Sequence, residues 1–474
     1  MHRLRAPFAP ILAGLVALGL AACSGAATPT NGRRIVIDVW LANYEFPHFL
    51  DPLRAQAARF GELHPEYQVN LQAFDYVTMP QRVTEAAANG TVPEIVQYYY
   101  SDTQLALDAV TRTGSPLFTS VEKAIGGRRD ILGEPVVLGD IVPAVRDYYT
   151  FHGDTFAMPK NASTAVLYTN MDMLKEAEIT EPPDTWGEIV EACEEIADID
   201  HAPPSCITWA NQGWFFQQAI AVQGGLLADN DNGRAARAQT VDLASREMFA
   251  WVLWWKGLSD EGHYLYTGLQ EDFIGTTQAF LTGQTAFTIN SSVPAGFFVD
   301  AARDAGFHIE LSRFPVNDAV PYAGNVIGGD ALWLQSGLDR RTQDGALAFM
   351  QFLNNPENSA AAAQVGGFIP LTESSINLVA AQGVYDQRPY LRVAIDQLSD
   401  PRRFSPGTEA VTSPAAQGAL LGDFTGIERH MTQAMEDVLV RGADPIGRFS
   451  QASADAQMLL NEYNASVHRG PNAR

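Results

Sequence analysis

The stretch from residue 34 to residue 99 decides the fold, because it alternates between two apolar periodicities. Three of its segments have the composition of β-strands: RIVIDVW at 34–40, QVNLQAF at 68–74 and PEIVQYY at 93–99. Residues 51–62 and 79–88, which lie between them, have helical spacing. The order strand, helix, strand, helix, strand predicts an α/β layer with a mostly parallel sheet.

Beyond this layer the sequence predicts further helices and more than one domain. Thr185 and Glu188 have the spacing of an N-terminal capping box, which predicts a helix that runs to about residue 198. Residues 246–257 contain three tryptophans and predict a buried core helix, and 345–353 predict another helix. With 474 residues, 46% of them hydrophobic, the chain is too long for a single core.

The first 33 residues have the composition of an export signal followed by a tether. A basic start and an apolar run precede the segment LAAC, which ends at Cys23 and resembles a bacterial lipobox. We therefore expect residues 1–22 to be a lipoprotein signal peptide, Cys23 to carry the lipid, and residues 23–33 to form a flexible tether. This predicts a protein held by its lipid at the extracytoplasmic face of the cell membrane.

The charge and hydropathy of the chain exclude two classes of partner. Its 31 basic residues face 55 acidic ones, for a formal net charge of −24, whereas nucleic-acid binding needs clustered Lys and Arg. After the signal peptide, no apolar run approaches the roughly 20 residues that a membrane-spanning helix needs. We therefore expect no nucleic-acid partner and no membrane contact other than the lipid.

The two cysteines that remain after Cys23 are Cys193 and Cys206. An even pair in an oxidising compartment favours a disulfide, and two buried free thiols are the alternative. No CxxC or HxxxH motif is present, so the sequence predicts neither a metal site nor a cofactor. The motifs GxSxG, Walker A and HExxH are also absent, but abundant carboxylates leave an exported hydrolase as an alternative.

Aromatic and small polar residues, with glycine, follow several predicted strands, and the ligand crevice of an open α/β sheet lies at such positions. Aromatic faces stack on apolar ligand surfaces, hydroxyls orient polar groups, and glycine amides can approach an anion. The residues are Tyr76, Tyr100, Asp102, Ser163, Trp214, Ser291, Ser292 and Gly329. A core or loop role is the alternative for each one singly, so their shared position after strands is what indicates a ligand site.

Several motifs in a fixed order carry a resemblance to a known family. They are FAMP at 156–159, PPDTW at 182–186, FLTGQTAF at 280–287, VIGGDALW at 326–333 and GGFIP at 366–370. In this order they resemble bacterial extracellular solute-binding proteins of the carbohydrate class, the receptors of ABC importers. The tail from Glu428 to Asp444 is similar to actinobacterial receptors for glycerol-3-phosphate and glycerophosphodiesters.

The resemblance implies ligand-binding roles for particular residues. The family's ligand positions fall on Tyr76, Ser163, Trp214, Ser291 or Ser292, Gly329 and a phosphate-facing arginine at Arg429. A surface or inter-lobe ion pair is the alternative role for Arg429.

Two positions depart from the family's pattern. Tyr100, with Asp102 two residues on, stands where those receptors have an acidic residue that takes glycerol hydroxyls, and Phe368 stands where they have a tyrosine. Buried groups left without a partner cost about 1–3 kcal/mol each. This favours a larger diester, a quaternary-ammonium headgroup or a neutral sugar over free glycerol-3-phosphate.

The resemblance also implies a two-lobed α/β fold of the periplasmic-binding type, each lobe a mostly parallel sheet flanked by helices, with the ligand cleft between the lobes. We expect lobe 1 to comprise 34–150 and about 287–345, and lobe 2 to comprise about 151–286 and 346–474. Hinge crossings are expected near residues 150, 290 and 345.

This architecture predicts a monomeric binding protein that performs no catalysis. It would capture a small-molecule solute by hinge closure and deliver it to a two-subunit ABC permease with its ATPase. The expected solute is a glycerophosphodiester such as glycerophosphocholine, or glycerol-3-phosphate. A receptor for a neutral mono- or oligosaccharide is the first alternative, and an exported hydrolase and an envelope scaffold lipoprotein are alternatives of other classes.

Overall fold

Two β-sheets form the centres of two lobes in a computed structural model of the protein, which describes residues 34–43, 50–405 and 412–468. The predicted signal peptide (1–22) and tether (23–33), with Cys23, lie outside the described residues. In the part of the chain that is described, no helix has both the length and the apolar character needed to cross a membrane.

The strands and helices follow the predicted alternation over residues 34–99. The strands are β1 (Ile35–Asn43), β2 (Tyr67–Asp75), β3 (Ile95–Tyr99), β4 (Phe118–Thr119), β5 (Asp130–Ile131), β6 (Glu134–Pro135), β7 (Thr150–Phe151), β8 (Asp154–Thr155), β9 (Met158–Ser163), β10 (Ala165–Asn170), β11 (Ile207–Thr208), β12 (Tyr264–Leu265), β13 (Phe287–Ser291), β14 (Ile309–Arg313) and β15 (Gly328–Gln335). The helices are α1 (Asp51–Leu63), α2 (Met79–Asn89), α3 (Thr103–Asp108), α4 (Val121–Ile125), α5 (Pro143–Arg146), α6 (Met171–Glu176), α7 (Trp186–Ala197), α8 (Gly213–Val222), α9 (Asp229–Gly233), α10 (Arg246–Asp260), α11 (Phe273–Leu281), α12 (Ala295–Ala305), α13 (Arg340–Leu353), α14 (Pro356–Gly366), α15 (Glu373–Ala381), α16 (Val384–Gln387), α17 (Tyr390–Leu398), α18 (Pro414–Gln417), α19 (Phe424–Arg441) and α20 (Pro445–His468).

The first sheet has the strand order β2-β1-β3-β15-β4, and β9 pairs with β15 beside this path. β1 runs parallel to β2 and to β3, because a helix crosses over between the strands of each pair. β15 runs antiparallel to β3, β4 and β9. The second sheet has the order β12-β11-β13-β10-β14, in which β11 is parallel to both neighbours and β10 is antiparallel to both.

The predicted two-lobed α/β class is therefore confirmed, but the prediction that each sheet is mostly parallel is wrong. The antiparallel pairings belong to strands that enter a sheet from the other lobe. β10 follows β9 of the first sheet, and β15 follows β14 of the second. A strand that arrives from the opposite lobe enters its sheet in the reverse direction, so both sheets are mixed.

The crossings between the lobes also lie at other positions than expected. One crossing is the single residue Thr164 between β9 and β10, and another spans the segment between β14 and β15. β9 therefore lies in the first sheet and β13 and β14 in the second, each in the lobe opposite to the predicted one. α13 packs on β1 of the first lobe, although 346–474 were assigned to the second. Local sequence patterns identify a strand, but they do not select its partner sheet.

Two packing features of the second lobe confirm predictions. Cys193 in α7 and Cys206 form a disulfide with a Cα–Cα distance of 5.4 Å. In α10, Trp251 and Trp255 are completely buried, and the ring of Trp254 stacks on that of Trp209 at a centroid distance of 5.6 Å. The predicted capping box is also present at the start of α7.

Candidate functional site

The crossing at Thr164 brings residues of both lobes together. Ser163, the last residue of β9, pairs with Gly328, the first residue of β15, and its side chain is buried. The Thr164 hydroxyl donates to the main-chain oxygen of Val326 at 3.2 Å, and the Thr164 amide donates to the Ser292 hydroxyl at 3.3 Å. Ser163 is thereby fixed at the point where the two sheets meet.

Trp214 lies against this crossing from the second lobe. The side chain of Gln212 caps α8 by accepting from the Trp214 amide at 2.7 Å, which fixes the start of the helix. The indole nitrogen donates to the main-chain oxygen of Ile327 at 3.2 Å. A Cβ atom added to Gly328 would lie 2.8 Å from the indole ring and 3.0 Å from the Ser163 hydroxyl. The structure therefore brings the predicted residues Trp214 and Ser163 together at Gly328.

Position 329, a predicted site residue, must be glycine because two backbones approach closely there. Its φ is +118°, and an added Cβ would lie 2.1 Å from the main-chain oxygen of Asn161. The side chain of Asn161 also donates to Asp330. Only glycine fits between β9 and β15 at this position.

Tyr100 connects the first lobe to two helices of the second. Its hydroxyl donates to Oε1 of Glu428 in α19 at 3.2 Å, and the side-chain amide of Gln217 in α8 donates to the same Oε1 at 2.8 Å. Gln217 also donates to the Tyr100 hydroxyl at 2.9 Å, and Tyr148 donates to the Tyr100 main-chain oxygen at 3.0 Å. All three side chains of this Tyr100–Gln217–Glu428 triad are buried.

The electrostatics of the triad are dominated by burial. Burial raises the pKa of the Glu428 carboxyl to about 8, although the hydrogen bonds from Gln217 and Tyr100 act in the opposite direction. Burial also raises the pKa of Tyr100 well above its usual range. A buried carboxyl and a buried phenol thus lie between the lobes.

Two other predicted residues, Tyr76 and Asp102, lie near the triad rather than within it. Tyr76 packs edge-on against Tyr99 at a centroid distance of 5.9 Å, on the first lobe. Asp102 is buried, and burial together with the nearby Asp423 raises its pKa to about 7. Asp102 therefore belongs to a pair of carboxyls at the start of α19.

Ser291, Ser292 and Phe368 lie on the other side of the crossing. The Ser291 hydroxyl accepts from the amide of Val293 at 3.2 Å, at the end of β13. Ser292 and Phe368 line one small crevice together with Tyr390. Ser292 belongs to both the crevice and the crossing, because its hydroxyl accepts from the Thr164 amide.

Arg429 is the predicted residue that the structure sets apart from the buried residues. Its side chain is exposed, and it acts on Glu271, whose pKa is raised by burial and partly lowered by this guanidinium. Consecutive residues of a helix point about 100° apart, so Glu428 faces inward where Arg429 faces outward.

Glu428 and Gln217 were missed by the sequence analysis. Gln217 lies one helical turn after Trp214, a spacing that places both on one face of α8. Glu428 directly precedes Arg429, but no local pattern indicates which of the two points inward. Among the described residues, no three His, Cys, Asp or Glu side chains are grouped so as to hold a metal ion.

Two mixed sheets with a buried aromatic and polar cluster at their crossing define a two-lobed α/β protein of the solute-binding class. The chain belongs to the family of bacterial extracellular solute-binding proteins, whose family model matches residues 55–385.

Known relatives agree with this assignment. The sn-glycerol-3-phosphate-binding periplasmic protein UgpB of Salmonella typhimurium is 26% identical over 410 residues, which cover 84% of this chain and 90% of that protein. The protein of the same name from Yersinia enterocolitica is 28% identical over 413 residues, with 84% and 89% covered.

Solved structures show the same fold. UgpB from Mycobacterium tuberculosis, in complex with glycerophosphocholine, has a TM-score of 0.68 at 22% identity and covers 91% of this chain and 99% of its own. The cyclic alpha-maltosyl-1,6-maltose binding protein from Arthrobacter globiformis has a TM-score of 0.70 at 18% identity, with 91% and 100% covered.

Proposed function

We propose that this protein is the solute-binding lipoprotein of an ABC importer for glycerol-phosphate-type solutes. It captures a glycerophosphodiester such as glycerophosphocholine, or glycerol-3-phosphate, between its lobes. Hinge closure on the solute then presents it to a two-subunit permease with its ATPase. We further propose that the protein acts as a monomer and performs no catalysis.

The observation that carries this proposal is the contact of Trp214, Ser163 and Gly328 at the crossing between the lobes. An indole ring, a hydroxyl and a glycine backbone without a side chain meet there. Groups of these kinds position a small polar solute. The names of the UgpB relatives and the glycerophosphocholine complex support the chemical class.

We assign the remaining roles by chemistry. Tyr76, Tyr100 and Phe368 provide aromatic surfaces, and Ser163, Ser291 or Ser292 and the Gly329 amide provide polar contacts. Arg429 approaches a phosphate group on closure, because its guanidinium is exposed and suits bidentate contact with an anion. Asp102 lies beside Asp423, so we propose that it acts on the solute through its charge rather than by direct contact.

A receptor for a neutral saccharide is the second candidate. Two observations favour it: Arg429 is exposed beside Glu271, and the structure is similar to a maltosyl-maltose-binding protein. Such a protein would leave Arg429 as a surface ion-pairing residue.

Calorimetric titration of the purified full-length protein separates the two candidates. We expect a saturable one-to-one signal with glycerophosphocholine and a loss of at least about tenfold in affinity in Arg429→Gln. Saturation with maltotriose alone, unaffected by Arg429→Gln, would favour the saccharide receptor. Recovery of hydrolysed glycerophosphocholine after incubation would favour the exported hydrolase.

We also propose that Cys23 carries a lipid that holds the protein at the extracytoplasmic face of the membrane. The variant Cys23→Ala should move the protein from the membrane fraction to the supernatant of fractionated cells. Wild-type partitioning of this variant would contradict the anchor.

A further inference from the structure

The carboxyl of Glu428 is buried between the lobes and has one oxygen without a partner. Only 5% of the residue is exposed. Oε1 accepts from Gln217 and Tyr100. Within the part of the chain that the structure describes, no group donates to Oε2, and no Lys or Arg forms an ion pair with the carboxyl. Oε2 is not one of the fully enclosed, unpartnered polar atoms of the described residues, so it keeps access to the space between the lobes, where a solute can supply its partner.

The position of Glu428 relative to Trp214 identifies where this partner lies. A Cβ added to Gly213, the residue before Trp214, would lie 2.4 Å from both Cβ and Cγ of Glu428. Glu428 therefore packs directly on the first turn of α8, beside the indole that contacts Ser163 and Gly328. The carboxyl and the proposed solute site share this helix start.

We propose that Oε2 of Glu428 hydrogen-bonds a hydroxyl group of the bound solute, and that the second lobe thereby supplies the acidic group absent at position 100 of the first lobe. This inference rests on the proposed function and names the end of the solute that is recognised, a hydroxyl-bearing glycerol or sugar end. A carboxyl suits this task in either protonation state, because it accepts a hydroxyl proton when ionised and donates to a hydroxyl oxygen when neutral.

Tyr100 and Gln217 act as positioning residues in this arrangement. Both donate to Oε1, which fixes the rotation of the carboxyl and leaves Oε2 for the solute. Tyr100 comes from the first lobe and Glu428 from the second. The carboxyl is therefore positioned for the solute hydroxyl only when the two lobes are in contact, which couples binding to closure.

The test pairs two ligands with three variants of the full-length protein. The probes are glycerophosphocholine and propylphosphocholine, which has the same phosphodiester and headgroup but lacks both glycerol hydroxyls. In calorimetry, Glu428→Gln should weaken glycerophosphocholine binding about 10- to 100-fold and leave propylphosphocholine binding unchanged. Tyr100→Phe, which keeps the carboxyl, should cause a smaller loss confined to glycerophosphocholine.

The control is Glu462→Gln on the exposed side of α20, which should bind both compounds as the wild type does. Equal weakening of both probes by Glu428→Gln and Tyr100→Phe would overturn the inference, because a purely structural role does not depend on ligand hydroxyls. Unchanged binding of glycerophosphocholine by both variants would overturn it while leaving the proposed function intact. A wild type that binds neither probe would contradict the proposed function, and the inference would fall with it.

Discussion

Trp214 is at once a buried core side chain and the largest surface of the candidate site. Only 4% of it is exposed, so Trp214→Ala would cost about 3–5 kcal/mol of folding stability in addition to any effect on binding. Trp214→Phe is the sharper change, because it keeps a ring but removes the indole donor to Ile327. We expect about a tenfold loss of solute affinity in calorimetry, with a small decrease in melting temperature.

The matched control for this prediction is Trp254→Phe. The Trp254 indole also donates to a main-chain oxygen, that of Trp186 at 3.2 Å, but it lies in the tryptophan cluster of α10. This variant should lose a similar amount of stability without loss of affinity. Equal affinity losses in the two variants would remove Trp214 from the site.

A second prediction at the residue scale concerns pH. The folded-state pKa of Glu428, about 8, lies above its ordinary value of 4.5 because of burial. The neutral carboxyl therefore contributes stability that is complete below about pH 4.5 and is lost as the pH rises through about 8. Asp102 acts in the same direction, between its ordinary value of 3.8 and about 7.

Melting temperatures between pH 5 and pH 8.5 measure this effect. We expect the melting temperature of the wild type to fall across this interval and that of Glu428→Gln to fall clearly less. Adding Asp102→Asn should reduce the remaining slope of melting temperature against pH. Asp400, whose pKa is lowered by its hydrogen bond from Arg402, does not interfere, because its stabilisation is complete above about pH 4. Parallel profiles of melting temperature against pH for the wild type and Glu428→Gln would show that burial does not raise the pKa of the Glu428 carboxyl.

At the scale of elements, the positions of strands and helices could be predicted from the sequence, because they depend on local patterns of residues. β1, α1, β2, α2 and β3 lie within a few residues of the predicted positions. Sheet membership could not be predicted in this way, because β13 and β15 pair with strands far away in the chain. The same limit applies to the site: Ser163 and Trp214 follow strand ends and could be identified, whereas Glu428 depends on how α19 is rotated against α8.

The contact of α8 with α19 predicts the effect of a single methyl group. A Cβ at Gly213 would lie 2.4 Å from Glu428, so Gly213→Ala should force the two helices apart. We expect a loss of about 1–3 kcal/mol in the free energy of unfolding, measured in urea, and weaker solute binding. Gly257→Ala in α10 is the control, since nothing lies within 4 Å of its added Cβ, and it should be neutral or stabilising.

At the scale of the whole molecule, a second set of contacts joins the lobes away from the site. Asp108, at the end of α3 in the first lobe, accepts from Arg237 through both carboxylate oxygens, and from the Tyr463 hydroxyl at 2.8 Å. Arg237 and Tyr463 belong to the helical part of the second lobe, where Asn464 of α20 binds the main chain of Ala238. These bonds favour the arrangement in which the lobes are in contact.

Asp108→Asn should therefore shift the molecule toward an open arrangement without touching the solute site. Apparent affinity scales with the populated fraction of the binding-competent form, so we expect a loss of roughly 3- to 10-fold in calorimetry. Small-angle scattering should show a larger radius of gyration for the unliganded variant, and saturating solute should restore the wild-type value. Asp300→Asn, which removes an exposed pair with Arg303 within α12, is the control. If both variants match the wild type in radius and affinity, the contacts at Asp108 do not contribute to closure. Other contacts between the lobes then hold them together, such as the bond from the Arg234 guanidinium to the main-chain oxygen of Tyr148 at 2.7 Å.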